Sequence, residues 1–229
     1  MSEVADNLAR VVADVDDATQ KAGRAKEEVK LMAVSKTWPV EHVQLAVDAG
    51  QKVFGENKVQ EGEVKVPALP DDLEWHMVGH LQRNKVRKCL PLFDYLHGLD
   101  SLKLLKYMNG MARELNLFPK IFLQVNIGEE PQKNGFLPHD LQAAVEEIAA
   151  LQQISVEGLM CIPPASESPE DARKWFAATR ELRDSLEISF GKKLSGLSMG
   201  MSSDYAVAIE EGATIVRVGS SIFGERTKY

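Results

Sequence analysis

The sequence predicts an α/β fold, a single (β/α)8 barrel over residues 1–229 with an extra N-terminal helix, within 1–28, packed on it. Three observations predict it. Eight short apolar runs alternate with amphipathic segments along the whole chain, and the runs are apolar on both faces, as parallel strands covered by helices are. No long linker or low-complexity stretch interrupts the alternation, so right-handed crossovers can carry each strand to the next. The GxGxxG turn of an open dinucleotide-binding sheet is absent, and eight units fit a closed barrel better.

The elements follow in order. Val4, Leu8, Val11 and Val15 fall at helical spacing and give the opening helix. The strands are expected at 29–35, 52–56, 74–79, 95–99, 120–126, 155–160, 193–199 and 214–220. Pro39 is placed in the first turn of the helix after the first strand, where its missing N–H costs nothing, and Gly50 closes that helix. Asp100 is expected to cap the helix whose face is Leu102, Leu105, Met108, Ala112 and Leu115. Leu141, Val145, Ile148 and Leu151 form the next apolar face, and Ala172, Phe176, Thr179 and Leu186 the one after.

Composition narrows the function. At 44% hydrophobic and 27% charged residues, the chain falls outside the disordered and collagen-like classes. No run approaches the roughly 20 apolar residues of a membrane span, and MSEVADNLARVV is a polar helix pattern, not a signal peptide, so a cytoplasmic protein without membrane association is expected. Cys89 and Cys161 show no zinc-ligand spacing, so no metal is expected. A net charge of −7 offers no field for nucleic acid. The basic stretch HLQRNKVRK at 80–88 reads as a solvated helix face.

The run LMAVSK ends in Lys36, in register with Met32 and Val34, at the end of the barrel where chemistry is found. An amine held against apolar walls loses proton affinity and gains nucleophilicity, as Schiff-base chemistry requires. On position alone, Lys36 could equally reach out of the mouth or pair with Glu56. Near the C-terminus, the turn around Ser202, Ser203 and Asp204 and the turn of Gly219, Ser220 and Ser221 follow the last two strands, where barrels build phosphate sites. A serine or aspartate there could also be an ordinary helix cap. A lysine and a phosphate grip across one mouth suggest pyridoxal 5′-phosphate (PLP). Arg217, with the parity of Gly219, would set a permanent charge against the pyridine nitrogen, or else form a structural salt bridge.

These residues lie in seven ordered motifs: AVSKT at 33–37, FGENKVQE at 54–61, WHMVGHLQRNK at 75–85, QVNIGEEPQKNG at 124–135, GLMCIPP at 158–164, GLSMGMSSDYAVAI at 196–209 and VRVGSSIFGER at 216–226. With them the chain resembles the pyridoxal phosphate homeostasis proteins, whose TIM barrel is shared with the N-terminal domain of alanine racemase, the type III PLP fold. The resemblance implies PLP as a covalent aldimine on Lys36. It implies Ser202, Gly219 and Ser220 at the phosphate with Ser203 assisting, Arg217 at the pyridine nitrogen, Asn57 and His80 at the ring or mouth, and Met160 near the cofactor. His80 could instead be a satisfied loop histidine, and Asn57 a helix cap. Asn126, Lys133 and Gly135 are assigned to loop structure or partner contact. Cys161 stands where alanine is usual in that family.

The resemblance also implies function. Alanine racemase draws one of its two bases from a second domain, which a chain reaching Tyr229 so soon after its eighth strand is expected to lack. The expected role is PLP homeostasis: buffering, carrying or delivering the cofactor, with apo-PLP enzymes as acceptors, no robust turnover and a monomeric state. The alternative is a weak PLP-dependent amino-acid racemase. A class I aldolase would need its lysine on a later strand beside a carboxylate or tyrosine relay.

Overall fold

The computed structural model of the chain describes residues 2–225; Arg226, which ends the last motif, and Tyr229 lie outside them. In chain order the elements are α1 (Glu3–Lys21), β1 (Lys30–Val34), α2 (Val40–Asp48), β2 (Val53–Glu56), α3 (Val59–Lys65), β3 (Glu74–Met77), α4 (Val86–Cys89), β4 (Tyr95–Leu99), α5 (Leu102–Leu115), β5 (Lys120–Val125), α6 (Pro138–Ala149), β6 (Ser155–Cys161), α7 (Arg173–Phe190), β7 (Gly196–Ser198), α8 (Tyr205–Glu210), β8 (Ile215–Val218) and α9 (Ser220–Phe223). The strands are parallel, neighbours in sequence are neighbours in space, and β1 pairs with β8 to close the barrel, Met32 opposite Arg217.

Two apolar layers hold it. The larger lies between strands and helices and includes Phe54, Trp75, Leu105, Ile121, Leu159, Phe176 and Val216. A smaller cluster of Met32, Phe122, Met160 and Ile215 fills the lumen. Between β6 and β7 the backbones come so close that a Cβ on Gly158 would stand 1.8 Å from the Gly196 carbonyl oxygen. Only glycine fits there.

The opening helix α1 is capped by Ser2, whose hydroxyl accepts from Ala5 N at 3.3 Å, and buries Val4, Leu8, Val11 and Val15. Each such side chain is worth roughly 1.5–3 kcal/mol when taken from water. It lies against α2, α8 and α9. Asn7 Nδ2 donates to the Ile222 carbonyl oxygen (3.3 Å) at the end of α9, and Arg24 Nη1 donates to the carbonyl oxygens of Ile209 (3.0 Å) and Ala213 (2.7 Å).

Local details differ from the sequence expectation. The cap of α5 is Ser101, whose hydroxyl accepts from Leu104 N, because Asp100 is drawn away to His80. Pro39 occupies the cap position of α2, one residue earlier than expected, with an extended ψ of 164°. β1 ends at Val34, so Lys36 is two residues past the strand. β8 ends at Val218 because Gly219 leaves the extended conformation (ψ −74°) to start α9.

Candidate functional site

A cavity of about 500 Å³ opens at the C-terminal ends of the strands. Lys36, Asn57 and His80 line one part of its wall, and Ser202, Ser203, Arg217, Gly219 and Ser220 another. Met160 is 1% exposed and sits below, in the lumen cluster. Val34, Val78, Gly79, Gln124, Asn134, Ile162 and Met201 complete the lining, none of them a site candidate from the sequence.

The segment carrying Lys36 is gripped from α3. Lys65, only 4% exposed, donates from Nζ to the Ser35 carbonyl oxygen (2.8 Å), to Glu56 Oε1 (2.6 Å) and to Glu61 Oε2 (3.2 Å). Ser35 Oγ donates to Glu56 Oε1 at 2.6 Å, and Thr37 N donates to Glu61 Oε2 at 2.5 Å. Both neighbours of Lys36 are therefore held. Thr37 has φ +71°, a strained conformation for a β-branched residue that persists only where the surroundings enforce it. Burial pushes the Glu56 carboxyl up to about 7 against the pull of Lys65 and Ser35, and its Oε2 has no partner among the described residues.

On the adjoining wall, at the ends of β7 and β8 and not across the mouth as the sequence suggests, because β8 pairs with β1, Ser202 and Ser220 bring their hydroxyls within 3.4 Å of each other. The β7–α8 turn is fixed by Asp204, whose Oδ1 accepts from Met201 N at 2.6 Å. The Asp204 side chain folds back on its own loop and leaves Ser202 and Ser203 to face the cavity. Gly219 is tight against β1: a Cβ there would stand 3.2 Å from the Val34 carbonyl oxygen.

Arg217, 6% exposed, makes no salt bridge among the described residues. Nη1 donates to the Ser198 carbonyl oxygen (2.6 Å) and hydroxyl (2.9 Å), and Nη2 to the Cys161 carbonyl oxygen (2.9 Å). Burial lowers its proton affinity without removing the charge. His80 is exposed, with Nδ1 2.7 Å from Asp100 Oδ2. Asn57 precedes the extended Lys58 that caps α3. Burial pushes the Cys161 thiol up to about 11, which leaves it a packed, unreactive group.

Outside the cavity, Asn126 closes its own loop and Lys133 ties that loop to the segment after β6. Asn126 Nδ2 donates to the Glu130 carbonyl oxygen at 2.8 Å, and Lys133 Nζ to that of Pro163 at 2.9 Å. In the 80–88 stretch, Arg87 pairs with Glu114 (3.2 Å) and Lys88 with Glu63 (2.8 Å). No helix among the described residues is long and apolar enough to cross a membrane. The residues that sequence reasoning missed are Lys65, His76, His97 and Ser198. The two histidines carried a signal, an isolated polar residue inside each of two apolar strands.

Comparison with known proteins agrees with this geometry. The sequence pattern of the family described as alanine racemase, N-terminal domain, matches residues 7–227. A pyridoxal phosphate homeostasis protein of Aquifex aeolicus is 44% identical over 222 residues, covering 96% of this chain and 97% of that one. PipY of Synechococcus elongatus PCC7942, solved with PLP bound, superposes with a TM-score of 0.84 at 38% identity, over 96% of this chain and 100% of PipY. Alanine racemase of Clostridium difficile 630 shares the fold at 16% identity and a TM-score of 0.72, with 97% of this chain covering 58% of that one. The chain belongs to the alanine racemase N-terminal domain family and, within it, groups with the pyridoxal phosphate homeostasis proteins.

Proposed function

We propose that this chain binds PLP at the barrel mouth and serves its homeostasis, holding the cofactor and releasing it to other proteins. The observation that carries the reading is that a lysine, a pair of serine hydroxyls and a buried arginine share one cavity of about 500 Å³. That volume lies within the range of small-molecule sites. The donor set fits the group: hydroxyls and helix-start N–H groups for a phosphate, an amine for an aldehyde, and a permanent cation for a pyridine nitrogen.

Lys36 would form the covalent link. Its amine would join the cofactor's aldehyde carbon with loss of water, a condensation that needs no oxidant or reductant. Ser202, Gly219 and Ser220, assisted by Ser203, would hold the phosphate, Arg217 would face the pyridine nitrogen, Asn57 and His80 would border the mouth, and Met160 would pack beneath. When bound, PLP supplies an electron-withdrawing ring, and the Arg217 charge would keep its nitrogen unprotonated and weaken that capacity. A site with exposed groups such as His80 and Ser220 at its rim admits water, which suits storage and release better than carbanion chemistry. We further propose that the protein acts as a monomer in the cytoplasm and that apo-PLP enzymes are its acceptors.

The test is the visible spectrum of the full chain and of Lys36→Ala, each mixed with PLP and then with borohydride, followed by mass spectrometry. An absorption band in the wild type, lost in the variant and fixed by reduction onto Lys36, is the expected result. A wild-type chain that keeps no PLP once the excess is removed by gel filtration overturns the proposal.

A further inference from the structure

A hydrogen-bonded chain of side chains crosses the barrel lumen beneath the cavity. At the floor, Lys30 and Glu74 begin their strands and pair at 2.6 Å. Glu74 Oε1 also lies 2.6 Å from His76 Nε2, His76 Nδ1 lies 2.8 Å from His97 Nε2, and His97 Nδ1 lies 2.9 Å from Ser198 Oγ. Ser198 Oγ in turn accepts from Arg217 Nη1. His76, His97 and Ser198 are fully buried.

The chain resolves a difficulty. A buried guanidinium is costly unless compensated, yet the described acceptors of Arg217 are two backbone carbonyls and one hydroxyl. Asp204 acts on the guanidinium through space without a hydrogen bond to it, and the nearest carboxylate along the hydrogen bonds is Glu74. Burial alone would raise the Glu74 carboxyl, but its bonds to His76 and Lys30 prevail and bring it to about 2.

The end charges dictate the order of the protons. A carboxylate only accepts, so His76 carries its proton on Nε2 and offers a lone pair at Nδ1. His97 must then donate from Nε2 and accept at Nδ1. Ser198 must give its hydroxyl proton to His97, which leaves oxygen lone pairs for Arg217. Every dipole turns its negative end to Arg217 and its positive end to Glu74. The reverse order would aim a lone pair at the carboxylate. A charged His76 would instead force His97 to donate to Ser198, and burial opposes it: both histidines are held below their ordinary value, with Glu74, Asp94, Lys30 and Arg217 as the charged groups that act on them. The ring planes are locked as well, His97 stacked on Phe122 at 4.3 Å and His76 on Tyr95 at 4.6 Å.

We infer that His76, His97 and Ser198 are positioning residues: they hold a hydroxyl lone pair on Arg217, fix its guanidinium at the cavity wall and compensate its charge through to Glu74 at the barrel floor. The effect on cofactor binding rests on the PLP reading above. The arrangement of protons does not.

Two measurements decide it. In the unliganded full chain, 15N NMR of the histidine side chains between pH 5.5 and 8 is expected to show His76 and His97 protonated on Nε2 alone throughout. A proton on Nδ1 of either ring, or titration of either ring within that range, overturns the chain. In the second, PLP is titrated into wild type, Ser198→Ala and Glu74→Gln, each first checked for folding by circular dichroism and thermal midpoint. Glu74→Gln is half-exposed at the floor and outside the cavity lining, so it reports even if the buried variant does not fold. The expectation is an affinity about tenfold weaker, equivalent to ~1.4 kcal/mol, and a shifted absorption maximum of bound PLP in both variants. Folded variants with wild-type affinity and spectrum overturn the inference. A wild type that takes up no PLP would overturn the functional reading, while the tautomers would still decide the proton order.

Discussion

Lys65 and Ser35 are thirty residues apart in sequence, yet the Lys65 ammonium donates to the Ser35 carbonyl oxygen at 2.8 Å from inside the protein. A charged side chain on α3 thus holds the backbone next to Lys36, and the same amine neutralises Glu56.

Replacing Lys65 with methionine is therefore expected to destabilise the fold by about 3–5 kcal/mol, because it removes the buried donor shared by the Ser35 carbonyl oxygen, Glu56 and Glu61. Denaturant unfolding reads the loss. The double variant Lys65→Met, Glu56→Gln should recover part of the stability but not PLP uptake, since the grip on Ser35 and Thr37 is still missing. Full recovery of uptake would show that the grip is dispensable.

Acid should weaken the fold in two stages. His76 and His97 are held below the ordinary 6.5 by burial, so their contribution is present above that pH and is lost as the unfolded chain takes up protons below it. Glu74, brought to about 2, adds a loss that begins below 4.5. Glu56 acts in the opposite sense: its folded value of about 7 makes its contribution fullest below 4.5 and lost as pH rises through 7. Stability against pH should fall steeply below 4.5, and His97→Gln should flatten the stretch between 6.5 and 4.5. An unchanged slope there would exonerate His97.

Gly79→Ala should be severe for a small change. Its new Cβ would stand 2.1 Å from the Asn57 carbonyl oxygen, and backbone cannot swing aside as a side chain can. A loss of about 2 kcal/mol or more is expected, together with weaker PLP binding because Asn57 and His80 border the same contact. Thermal unfolding and a PLP titration read the two effects separately.

Ser202→Ala and Ser220→Ala each remove one hydroxyl from the proposed phosphate wall. Each is expected to cost roughly 1–2 kcal/mol, or about tenfold in PLP affinity, without loss of the borohydride-fixed bond at Lys36. Inorganic phosphate should compete with PLP in the wild type and compete less well in both variants.

Much of this architecture is legible in the sequence because it follows from local pattern. Alternating two-sided strands and amphipathic helices point to the barrel, and strand-end position brings Lys36 and the Ser202 and Gly219 turns to one rim. What escapes depends on closure. Lys65, four residues after Glu61, reads as part of a solvated helix face, and only the approach of Ser35 and Glu56 buries it. His76 and His97 stand out in their strands, but nothing local says that each meets the other and that the pair reaches Ser198, 101 residues beyond His97. The cap of α5 went to Ser101 for a similar reason, since Asp100 answers to His80.

The packing of α1 on α8 and α9 has a consequence for biosynthesis. Helix α1 is synthesised well before α8 and α9, so its stripe of Val4, Leu8, Val11 and Val15 stays uncovered until those helices emerge, and Asn7 meets Ile222 across 215 residues. Contacts of such separation form late and slowly. Gly219 and Ser220 lead into α9, so this part of the cavity wall settles as α1 and α9 meet, and a chain that has not yet reached α9 shows an apolar helix stripe in place of a finished cavity.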